Sequence, residues 1–224
     1  MRVIAARREI TRLEGFSDAV FGFALTLLVV SLEVPGTYAE LMNAMRGFGA
    51  FAACFGVVAW IWYEHNLFFR RYGLQDGWTI LLNLILLFVV LFYVSPLKFV
   101  FTMLLGGIFG GPRPSGGESA VDGTALMLIY SVAVLVLFLI FALLYWHALR
   151  RREELELNRL DIFDARTGAG RHLLTAGVAL LSILIAAILP RRADFAGLVY
   201  FLLGPLHGAF GFLRGKARAA LDAS

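Results

Sequence analysis

Between Thr79 and Leu105 the chain reads TILLNLILLFVVLFYVSPLKFVFTMLL, and Lys98 is its only charged side chain. A stretch this long and apolar constrains the fold more than any other feature. It reaches the ~20 residues that a helix needs to cross about 30 Å of hydrocarbon. Similar runs recur along the 224 residues, of which 60% are hydrophobic, against about 45–50% for a soluble domain. The chain is therefore expected to be an all-α integral membrane protein. Its runs are too long for the alternating ten-residue strands of a β-barrel. In lipid, a lone apolar run satisfies its backbone polar groups only as a helix.

Six transmembrane spans are expected, at about 14–33, 46–69, 77–105, 124–149, 171–190 and 194–214. They form a single six-helix domain over residues 1–224, with no internal repeat. Pro96 is expected to kink the third span. A glycine- and proline-rich loop, GGIFGGPRPSGGESAVDG, separates the third span from the fourth. The polar segment RRREELELNRLDIFDARTGAGR is rich in helix formers and can extend the fourth span, its charges forming a solvated face. The N-terminal run resembles a signal peptide in its basic flank. Ser17 and Asp18 interrupt it, however, and no small-x-small cleavage site follows, so it reads as a retained first helix.

Net charge is +4, but the basic residues flank apolar runs, as topology requires, and do not suggest a nucleic-acid partner. With six spans, only Arg46, Lys98, Arg113, Arg191 and Arg192 fall on one side, and the remaining fifteen of the 20 Lys and Arg residues fall on the other. The positive-inside rule then puts both termini in the cytoplasm, and the plasma membrane is the expected location. Cys54 is the lone cysteine, which excludes an intrachain disulfide.

The first span carries an anomaly. Asp18 sits one turn inside it, where a carboxylate near the bilayer centre costs about 2.5–3.5 kcal/mol. At the same depth lie Ser17, His65, Asn66 and, from the third span, Asn83, with Trp62 one turn deeper on the His65 face and Arg12 just below. These side chains can satisfy one another. Asp18 and Ser17 would accept from Trp62, His65 and Asn83, and Arg12 would balance the charge. Glu64 falls on another helix face. On the first span, Phe23, Thr26, Leu27 and Val30 share a different stripe, with Phe23 about 140° around the helix from Asp18. By spacing alone such a stripe is ordinary core or lipid contact. His147, His172 and His207 are scattered near helix ends without metal-ligand spacing and read as packing residues. No Walker loop or paired-carboxylate motif points to an enzyme, and no cofactor is expected.

The pattern Arg12-Leu13-Glu14-Gly15-Phe16-Ser17-Asp18, followed by AVFGFALTLLVVSLEVP, resembles the first helix of the transmembrane protein 175 potassium-channel family. The strings Trp62-Tyr63-Glu64-His65-Asn66-Leu67-Phe68 and Leu82-Asn83 are similar to that family's second and third helices. The resemblance implies six helices per repeat. One repeat per chain implies a homotetramer around a central pore, which passes K+ passively. It implies that the first helix lines the pore, with Phe23, Leu27 and Val30 as an apolar constriction and Thr26 as a hydroxyl layer. It also implies that Arg12, Phe16, Ser17, Asp18, Trp62, His65, Asn66 and Asn83 form a structural cluster. No TVGYG-like segment is present to build a carbonyl filter. Two departures stand out: Phe23 replaces the usual aliphatic residue, and Asn66 follows His65 where a second His is frequent. The rival readings are a proton or cation transporter using an Asp18–His65 relay, with Pro96 and Gly204-Pro205 as candidate helix breaks, and a non-conducting membrane scaffold sealed by Phe23.

Overall fold

The computed structural model describes residues 10–30, 35–109, 123–189 and 193–222, all as helices and short connections. Arg2, Arg7, Arg8, Glu33, most of the glycine- and proline-rich loop, Arg113, Arg191 and Arg192 lie outside the described residues. The helices are α1 (Arg12–Val30), α2 (Tyr38–Arg46), α3 (Phe48–Tyr72), α4 (Gly77–Phe109), α5 (Gly123–Arg150), α6 (Arg159–Ile188), α7 (Ala193–Leu198) and α8 (Leu203–Asp222). A 3₁₀ turn, Val199–Leu202, joins α7 to α8. Among the described residues, five stretches are long and apolar enough to cross a membrane: four single helices and Phe195–Asp222. The pair α2 and α3, bent by 44° at Gly47, supplies a sixth if taken as one span.

The helix starts follow local chemistry. Thr11 Oγ1 accepts from the Glu14 amide, while the Glu14 carboxylate accepts from the Thr11 amide, a reciprocal capping box that opens α1. Asn158 and Asp161 form a second box at α6. Its position corrects the expectation that the 150–171 segment prolongs the fourth span. The chain instead turns at 151–158, with Glu156 at φ 49°, and α6 begins twelve residues before the expected fifth span. Some charges of this segment are paired and not merely solvated. Arg71 reaches Asp161 at 3.1 Å and Asp164 at 2.8 Å, and Arg218 reaches Asp164 at 2.8 Å. Asp76 opens α4 by accepting from the Trp78 and Thr79 amides and the Thr79 hydroxyl. The Gly73 turn before it has φ 58°, a left-handed conformation that closes α3. The fourth helix runs through Pro96 without interruption.

Packing runs in one direction across the bundle. The first helix sits on α3 and α4, α4 leads to α5, α5 pairs with α6, and α6 carries α7 and α8. The α5–α6 seam is the most intimate, because α6 turns small residues toward it: Ala165, Gly168, Ala169, Ala176 and Ala179 are all buried. Tyr145 lies flat against Gly168, where a β-carbon would collide with the ring. Along the same seam, Ser182 donates to the Ala196 carbonyl and therefore accepts from Ser131. The ion pairs from α3 and α8 to the start of α6 place these ends together. His147 on Asp76, 3.0 Å, does the same for the end of α5 and the start of α4. The spans thus alternate in direction. At the edges of the bundle, α1 buries four residues and α8 none.

Candidate functional site: the first helix and the polar clusters behind it

The buried face of α1 is narrow: Ser17, Phe21, Ala24 and Leu28, at steps of four, three and four. Ser17 and Phe21 meet side chains of α4 and α3. Ser17 Oγ donates to the Leu13 carbonyl at 2.8 Å and accepts from Asn83 Nδ2 at 2.9 Å. Asn83 Oδ1 accepts a hydrogen bond from His65 Nε2 at 2.7 Å. An amide oxygen only accepts, so this bond sets the tautomer that carries hydrogen on Nε2. The His65 ring is held between Phe69, with centroids 4.4 Å apart, and the edge of Phe21 at 5.5 Å. The chain His65 → Asn83 → Ser17 → Leu13 therefore pins three helices with every donor directed one way. Ser17, His65 and Asn83 are all buried.

Asp18 belongs to a separate bond. It accepts from Trp62 Nε1 at 2.8 Å, on the exposed side of the protomer. The expected cluster thus divides into two networks: His65 donates to Asn83 and not to Asp18. Arg12 is exposed and forms no ion pair with Asp18 among the described residues. Asn66 is half-buried and stands outside the hydrogen bonds, and Phe16 is exposed.

The stripe turns away from the protomer's core. Phe23 is 56% exposed, Leu27 39% and Val30 72%. Thr26 is exposed beside them, its hydroxyl donating to the Gly22 carbonyl at 2.9 Å. With its hydrogen committed to the helix, the Thr26 oxygen presents lone pairs outward. The stripe is thus a row of apolar side chains with one acceptor layer.

A second buried cluster escaped sequence reasoning. Glu64 does lie off the His65 face, as its position on α3 requires, but it is buried against α6. There it accepts from Arg171 at 2.5 Å, and His172 Nε2 lies 3.7 Å away. His172 stacks on Phe141, with centroids 5.0 Å apart, and neither ring nitrogen has a hydrogen bond among the described residues. Thr175, one turn on, meets His207 at 2.9 Å. Glu64 and Arg171 are 107 residues apart, so only the i, i+4 spacing of Arg171 and Thr175 hinted at a polar face. Among the described residues, no group of three His, Cys, Asp or Glu side chains could hold a metal.

These features define a multi-pass helical membrane protein with a polar lock behind its first helix and an apolar ridge in front of it. The family model described as "Endosomal/lysosomal potassium channel TMEM175" matches residues 12–93, the part that contains both. A potassium channel from Marivirga tractuosa is 42% identical over 220 residues, covering 93% of this chain and 89% of the relative. One from Streptomyces collinus is 30% identical over 187 residues, covering 78% and 84%. The crystal structure of a variant of the potassium channel MtTMEM175, bound to a nanobody–MBP fusion, superposes with a TM-score of 0.82 at 42% identity, covering 95% of this chain and 96% of that one. The chain belongs to the TMEM175 family.

Proposed function

We propose that the protein is a potassium channel of the cell membrane. In this reading four copies turn the α1 ridge toward a shared axis, and both termini face the cytoplasm. The observation that carries it is the division of α1 itself: one narrow face is locked to α3 and α4, and the ridge of Phe23, Thr26, Leu27 and Val30 is left uncovered. Rings of these side chains from four copies form an apolar neck with one layer of hydroxyl oxygens. At such a neck an ion gives up part of its water shell, and potassium, the more weakly hydrated cation, gives up less than sodium. The same neck can dewet and close. Phe23 narrows it with an aromatic ring, whose rotation changes its width.

The polar clusters act as frame and not as conduit. A transporter relay would need continuity between Asp18 and His65, but each is committed to a different partner, Trp62 and Asn83. The test is flux from liposomes holding the purified protein at a set voltage. The reading expects passive potassium flux that exceeds sodium flux, with Phe23→Leu raising it. Saturable flux coupled to a second ion supports the transporter. No flux in either form leaves a scaffold.

A further inference from the structure

On the far side of the bundle from α1, the ends of α5 and α6 enclose a cleft of about 420 Å³. Its floor is apolar, with Leu149, Ile162, Ala169 and Leu173. Its rim carries Trp146 and three arginines, Arg150, Arg152 and Arg166. The Arg150 guanidinium sits 5.7 Å from the Trp146 ring centre. None of the three arginines forms an ion pair among the described residues. Of the nearby acids, Glu154 is engaged with Arg151, Asp161 with Arg71, and Asp164 with Arg71 and Arg218, while Glu153 and Glu156 are exposed and outside the cleft lining. Toward the middle of the bundle the cleft opens onto an exposed apolar strip, Leu143 of α5 and Leu180 of α6 among its members.

We propose that this cleft binds an anionic phospholipid of the cytoplasmic leaflet, its phosphate among Arg150, Arg152 and Arg166 and its chains along the strip between α5 and α6. The charge pattern selects this occupant. Three guanidiniums outside any ion pair, lining one cleft beside an interfacial tryptophan, suit an anion at membrane depth. Basic pockets between spanning helices on this side take acidic head groups. Arginine also suits phosphate better than lysine, because its planar fork bonds two oxygens at once. A soluble anion would gain nothing from the apolar floor and strip, whereas a lipid covers both. The site rests on the orientation proposed above and not on conduction.

The test is native mass spectrometry of the purified protein with added phosphatidylglycerol or phosphatidylcholine. Phosphatidylglycerol is expected to bind more tightly than phosphatidylcholine by about tenfold or more, and the triple variant Arg150→Gln/Arg152→Gln/Arg166→Gln to weaken it by about a hundredfold. Arg166→Gln alone gives a partial loss. Arg70→Gln, which removes an exposed charge outside the cleft lining, leaves binding unchanged. Inorganic phosphate at millimolar concentration does not displace the lipid. Equal binding of the two lipids, binding unaffected by the triple variant, or displacement by inorganic phosphate would overturn the site. The assay measures no current, so its failure would leave the channel reading intact.

Discussion

Asn83 shows how one amide can settle the position of the first helix. It uses both ends of its side chain, accepting from His65 and donating to Ser17, so its removal orphans two buried groups at once. Asn83→Leu keeps the branched outline and loses both bonds. An unsatisfied buried partner costs about 1–3 kcal/mol, so the variant should melt well below the wild type in detergent, while Asn66→Leu, outside the network, should not. Asp76 lies outside the spans and predicts a pH effect. Partial burial would raise its carboxyl, but hydrogen bonds from Thr79 and His147 outweigh this and hold it at about 2, against an ordinary 3.8. The bonded carboxylate's contribution is therefore complete above about pH 3.8 and is lost as pH falls toward 2. Melting curves between pH 5 and 2 should show this acid step, and Asp76→Asn should abolish it. The sequence marked Asp18, His65, Asn66 and Asn83 as one depth, with Ser17 beside Asp18 and Trp62 one turn deeper, because apolar runs and helical rise fix depth. Which acceptor meets which donor depends on rotamers and crossing angles, so the split between Asp18–Trp62 and His65–Asn83–Ser17 became visible only in three dimensions.

The helices themselves were largely legible, since runs of apolar residues with charged ends admit few other structures. The misreadings fell where polarity hides a helix. The first twelve residues of α6 carry charges that a hydropathy reading assigns to a loop, although Asn158 and Asp161 spell out the cap. The bend between α2 and α3 has no proline to announce it. The intimacy of α5 and α6 was written in alanines and glycines, but small residues do not name their partner. Gly168 gives that seam a sharp test. A methyl group there meets the Tyr145 ring, and the ring has Tyr72, Phe68 and His172 around it. Gly168→Ala should destabilise the protein by about 1–3 kcal/mol, as over-packing does. Thermal unfolding in detergent checks this, with Gly177→Ala, which has open space, as the neutral comparison.

Across the protein, the polar side chains do different work from their apolar neighbours. Buried Glu64 pairs with Arg171 and braces α3 against α6, while the Asn83 network braces α1 against α3 and α4. Together they brace one edge helix, whose ridge, in the proposed assembly, would then keep a fixed radius. No sequence pattern distinguishes a ridge facing an axis from one facing lipid, because both are apolar. The family resemblance and the uncovered face of α1 bring the two readings to a testable difference. The decisive measurement places a cysteine at position 26, Thr26→Cys, in a Cys54→Ser background, and follows potassium flux from liposomes as cadmium is added. The account predicts that cadmium blocks this variant and that a chelator restores it, while the Cys54→Ser background alone is insensitive. Equal, unblocked flux from both would mean that the ridge does not line the conduit.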